Sequence, residues 1–127
     1  VRLLIEVSPG EVMDKLTILA IKEQRLTHAE KLGHVRREAA VLRRAVDPLL
    51  EAHPPLRPLM DALVGLNGRL WDIEDALRAM EQRGDFGPDF VELARQVYLT
   101  NDRRAAAKAE INALLGSDIA EQKSYSV

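Results

Sequence analysis

The chain contains no cysteine. That excludes disulfides and thiolate metal sites and fits a reducing compartment. Aromatic residues make up 4% of the 127 positions, too few to expect the stacking platforms that grip single-stranded nucleic acid. Neither charge sign dominates. A net charge of −2 gives no pull toward nucleic acid or anionic lipid. No apolar run approaches the ~20 residues of a membrane span. The opening Arg2-Leu3-Leu4-Ile5 is broken at once by Glu6, too short for a signal-peptide core. Val1 stands where methionine is expected, as at a literally translated GTG start or in a trimmed chain. These absences leave one cytoplasmic domain, with no cofactor, nucleic acid or membrane among its expected partners. At this length the chain buries roughly two-thirds of the surface its unfolded form exposes, enough for a core without staples.

What is present is helical periodicity. Leu56, Leu59, Leu63, Leu66, Leu70, Ile73, Leu77 and Met80 follow steps of three and four, so they share one side of a helix. Pro58 sets the expected start of that helix, and Gly84 ends it. Ser8-Pro9-Gly10-Glu11 is a helix start, with Ser8 as cap, Pro9 in the first position and Glu11 as the returning carboxylate of a capping box. Helix 1 is expected over 9–26. Its Val12, Leu16, Leu19 and Leu26 form one face, while Ile18 and Ile21 fall nearly opposite. A helix apolar on two sides is central in its bundle or shared with a partner. Helix 2, 28–46, repeats the capping pattern at Thr27-His28-Ala29-Glu30. It carries Leu32, Val35, Ala39, Leu42, Val46 and Leu49 at coiled-coil-like spacing. Pro48 should kink or end it near Asp47. Helix 3 is expected over 58–83. Helix 4, 88–115, starts at Pro88 and buries Phe90, Val97, Ile111 and Leu115. Residues 117–127 form a polar tail. Residues 1–7 read as an extended arm or strand, which needs a partner from the tail around Ala120 to Tyr125 or from another subunit. The expected fold is all-α, about four long helices in an antiparallel bundle, with that short N-terminal arm.

Helix 4 holds the main irregularity. If it is continuous, Asn101, Arg104 and Lys108 interrupt its apolar side. A buried charge without a partner costs several kcal/mol. Either the chain breaks at Thr100-Asn101, or other helices supply acceptors. Glu23 lies mid-face on helix 1 and Glu74 lies at the edge of the helix 3 ridge, so these are the expected partners. Glu23, Glu74, Asn101, Arg104 and Lys108 then form either a structural network or a small anionic-ligand or metal site.

Two further carboxylate pairs, Glu11 with Asp14 and Asp72 with Asp75, are weak metal candidates for a hard cation such as Mg²⁺. Helical pairs of this kind resemble those of the all-α nucleotide pyrophosphohydrolases. There a Glu-x-x-Glu pair precedes a nearby Glu-x-x-Asp pair. Here Glu11-x-x-Asp14 comes first and the second pair lies a whole helix away. Without a metal, Glu11 serves as a cap beside Lys15, and Asp72 and Asp75 face away from the ridge, toward solvent or a second subunit. Arg36, Arg37, Arg43 and Arg44 read as a solvated face of helix 2, and His28, His34 and His53 lack metal spacing. Trp71 belongs to core or interface. Gly65 and Gly68 would allow close approach on helix 3.

Four stretches carry a family resemblance: Pro9-Gly10-Glu11-Val12-Met13-Asp14-Lys15-Leu16-Thr17-Ile18-Leu19, Leu70-Trp71-Asp72-Ile73-Glu74-Asp75, Val97-Tyr98-Leu99-Thr100-Asn101-Asp102-Arg103-Arg104-Ala105 and Lys123-Ser124-Tyr125. Together they resemble an uncharacterised family of small bacterial helical proteins. The resemblance implies a single-domain protein whose polar stretches on helices 1, 3 and 4 form one arrangement, and it supplies no activity. The leading expectation is an interaction or oligomerisation module, a homodimer with room for a protein partner. Its competitor is a metal- or anion-binding all-α enzyme.

Overall fold

The computed structural model describes residues 1–119. The chain forms four helices: α1 Pro9–Arg25, α2 Ala29–Ala52, α3 Leu56–Arg83 and α4 Pro88–Leu114. They pack as an all-α bundle. The Ser8 hydroxyl accepts from the Glu11 N–H at 3.2 Å and caps α1. Gly84, at φ 66°, closes α3 in the left-handed conformation that glycine adopts without steric cost, and Asp85 N–H donates to the Met80 carbonyl at 2.9 Å.

Two boundaries differ from expectation, each for a physical reason. Helix α2 runs past Pro48 to Ala52. Pro48 is exposed, and the continued turn brings Leu49 and Leu50 onto the core, which offsets the lost backbone hydrogen bond. Helix α3 starts at Leu56, two residues before Pro58. Pro58 then occupies the first turn, where its missing N–H would have had no intrahelical acceptor. Helix α4 runs unbroken through Thr100 and Asn101, as its expected span has it, and the alternative break there is not found. Residues 1–7 carry no regular secondary structure and are exposed, and no strand occurs among the described residues. The strand expected there is therefore not found, and its expected partner around Ala120 to Tyr125 lies outside the described residues.

Helix α1 is the centre. It packs against α2, α3 and α4, whereas α2 touches α3 only slightly and does not meet α4. Met13, Leu16 and Leu19 from α1 join Val35, Ala39 and Val46 from α2, Leu56 and Leu63 from α3, and Ala107 and Ile111 from α4 in one core. On the other side of α1, Ile21 is buried while Ile18 is half-buried.

The α3–α4 hairpin is longer than the core it serves. At 1.5 Å per residue its helices run about 40 Å against about 25 Å for α1. The main core cluster stops at Leu63 on α3 and begins again at Ala107 on α4, with Ile73 buried outside it. Toward the tip, Leu77, Met80, Phe90 and Leu93 are half-buried, while Phe86 and Val91 are exposed.

Candidate functional site

The second side of α1 is polar at its centre. Gly10, Asp14, Thr17 and Ile21 recur at steps of three and four, so they share a face, and all are buried. Gly10 lets α1 approach α4 closely. A Cβ there would sit 2.7 Å from the Lys108 carbonyl oxygen and 2.9 Å from Asn112 Oδ1. The Gly10 N–H, an unpaired donor of the first helical turn, instead donates to Asn112 Oδ1 at 2.8 Å.

One turn further, Asp14 meets Arg104. The guanidinium donates through Nε to Oδ1 at 2.9 Å and through Nη2 to Oδ2 at 2.5 Å, a bidentate fork. The Asp14 side chain is 4% exposed and that of Arg104 27%. Asn67 of α3 donates from Nδ2 to Asp14 Oδ1 at 2.9 Å and to Thr17 Oγ1 at 2.7 Å. Thr17 in turn donates to the Asp14 carbonyl at 2.7 Å. Arg104 Nη1 also donates to Asn101 Oδ1 at 3.2 Å, one turn back on α4. Lys108, nearly buried, places Nζ 2.5 Å from Glu11 Oε1. Burial alone would raise the Asp14 pKa. The hydrogen bonds from Arg104 and Asn67, with the charges of Arg104 and Lys108, outweigh it and hold the carboxyl below its ordinary value of 3.8. A carboxylate held this way, with both oxygens engaged, is a weak base and is shaped to brace helices.

The expected residues are sorted accordingly. Asn101, Arg104 and Lys108 do turn inward together, but their carboxylates are Asp14 and Glu11, not Glu23 or Glu74. Glu23 faces α2, where its Oε1 lies 2.7 Å from Arg43 Nη2. Glu74 is exposed and 3.8 Å from Arg78, one turn along α3. Glu11 and Asp14 do not converge on a common point, since each has its own cation from α4. Asp72 pairs with Arg25, and Asp75 is exposed. No group of three or more His, Cys, Asp or Glu side chains among the described residues could hold a metal ion. Gly65 and Gly68 permit no close approach, because nothing lies within 4 Å of a Cβ at either. The glycine that does so is Gly10.

Two clefts flank the Asp14–Arg104 pair. One, of about 410 Å³, has an apolar floor of Ile18, Ile21, Leu70 and Trp71, with Glu74, Asp75 and Arg78 at its edge. The Arg25 guanidinium lies 5.8 Å from the Trp71 ring centroid. The other, of about 520 Å³, is lined by Val12, Ile18 and Leu42 together with Ile5 and Val7 of the N-terminal segment. Ile18 and Arg104 border both.

Fold and site together define a class: an all-α bundle whose central helix is latched to its last by a buried carboxylate–guanidinium fork. Within that class, the chain belongs to the Family of unknown function (DUF6165), whose profile matches residues 3–127. No curated protein and no solved structure matches the chain. No helix among the described residues is long and apolar enough to cross a membrane.

Proposed function

We propose that this protein is a bacterial, cytoplasmic self-association module, a homodimer in which the N-terminal arm docks outside its own chain. One observation carries the reading. Leu3, Leu4 and Ile5 are 83%, 99% and 77% exposed, in succession, just ahead of α1. Burying a side chain of that size contributes about 1.5–3 kcal/mol. Three adjacent ones left in water are a ready source of association energy. The competing enzyme reading requires carboxylates open to a cation or substrate. Glu11, Asp14 and Asp72 are each bound to a cationic side chain instead.

Light scattering on a gel-filtration column tests this. The intact chain should elute with twice its 14.2 kDa mass, and Leu3→Asp/Leu4→Asp should elute as a monomer. A monomeric intact chain at the highest attainable concentration would refute the proposal.

A further inference from the structure

We infer that the arm of one copy seats in the Trp71 cleft of a second copy, and reciprocally. This rests on the self-association reading and specifies where the arm goes. The cleft floor is apolar, from Ile18, Ile21, Leu70 and Trp71, and its volume of about 410 Å³ falls within the roughly 300–1,000 Å³ of ordinary binding pockets. The arm presents a matching surface, Leu3-Leu4-Ile5, between one cation and one anion, Arg2 and Glu6. The cleft edge carries the opposite set: the carboxylates of Glu74 and Asp75, and the guanidinium of Arg78. Apolar centre on apolar floor, with Arg2 toward the carboxylates and Glu6 toward Arg78, gives both charged side chains of the arm a counter-charge.

Each arm leaves the site open in its own chain. Ile5 and Val7 border the neighbouring cleft, on the other side of Ile18 and Arg104. The arm's origin is fixed, because Ser8 is 2% exposed and caps α1. A second copy related by a twofold axis receives one arm and donates its own, which closes the assembly at two.

The absence of cysteine makes the test direct, since introduced thiols are unique. Leu4→Cys and Leu70→Cys chains are prepared separately, mixed under oxidising conditions and run without reductant. The expected product is a disulfide-linked heterodimer, with the sole tryptophan, Trp71, reporting a blue-shifted emission as the intact chain is concentrated. Leu4→Asp should weaken association by about tenfold or more and abolish that shift. A dimer by light scattering that neither cross-links between these positions nor shifts Trp71 would overturn the arm exchange while leaving self-association standing. A cross-link formed only when both cysteines are on one chain would place the arm in its own cleft and overturn it as well. A strict monomer would overturn both.

Discussion

The two halves of the α3–α4 hairpin are built alike and held differently. Both carry the three-and-four apolar steps of α3, opposite an α4 whose facing side is interrupted by Asn101, Arg104 and Lys108 in one half only. The half near the α3 N-terminus lies under α1. There Leu56, Leu63 and Ile111 are fully buried, and Asn67, Arg104 and Lys108 each have a partner on α1. The tip, from Leu77 around to Arg95, has no buried residue. Its contacts are an edge-to-face pair of Phe86 and Phe90 at 5.2 Å and exposed ion pairs such as Arg95 with Glu92. Periodicity fixes which residues face the other helix, but coverage by a third helix decides how much that facing is worth. Stability should therefore be uneven along one hairpin, with local opening cheapest at the tip.

That contrast can be broken most sharply at Arg104. Arg104→Met leaves Asp14 buried without its cation, which should cost about 3–5 kcal/mol in urea unfolding. A loss below about 1 kcal/mol would mean that the covered half is not held by this pair. Next is Gly10→Ala, which pushes a methyl group into the Lys108 carbonyl and should cost about 1–3 kcal/mol. Gly65→Ala serves as its control. Position 65 is open, so the same change there should stabilise by about 0.5–1 kcal/mol. Equal effects at the two positions would remove the claim that α1 and α4 touch through glycine.

Acid should act on the covered half through Asp14. The folded Asp14 carboxyl titrates below its ordinary 3.8, so the unfolded chain binds the extra proton first. Its contribution is complete above that ordinary value and is lost as pH falls through the lower, folded one. Stability measured against pH should fall below about 4, and the fall should be shallower for Asp14→Asn. An identical acid limb in the two proteins would show that other carboxylates govern it. The smallest effect belongs to the tip. Phe86→Ala, at a residue 54% exposed, should cost less than about 1 kcal/mol by the same denaturation. A larger loss would mean that the tip is better braced than its packing indicates.

Much of the fold was legible in the sequence. Ser8-Pro9, Gly84 and Pro88 punctuate the chain, and the leucine steps identify the buried sides. The inward turn of Asn101, Arg104 and Lys108 was legible too, since cations on an apolar side demand acceptors. Their partner was not, because Asp14 reads as half of a candidate metal-binding pair with Glu11. The signal lay in Ile18 and Ile21. Asp14 and Thr17 share their face, so a carboxylate and a hydroxyl sit in a stripe with Ile18 and Ile21. Asn67 was hidden in the same way, one turn after Leu63 and three residues before Leu70 on the ridge. Pro48 misled for a different reason. Local propensity disfavours it inside a helix, and the burial of Leu49 and Leu50 overrides that preference.

The hydrogen bond from Gly10 to Asn112 joins residues 102 apart, and the Asp14–Arg104 fork joins residues 90 apart. A chain emerging from the ribosome at about 5–20 residues per second makes α1 first and its latch last. For several seconds the polar stripe of α1 has no counter-ion, while its apolar side can already close on α2. Synthesis therefore passes through a helical pair whose second face stays wet until the end of α4 arrives. Any truncation before Arg104 would leave the molecule in that half-assembled state, with Asp14 still facing water.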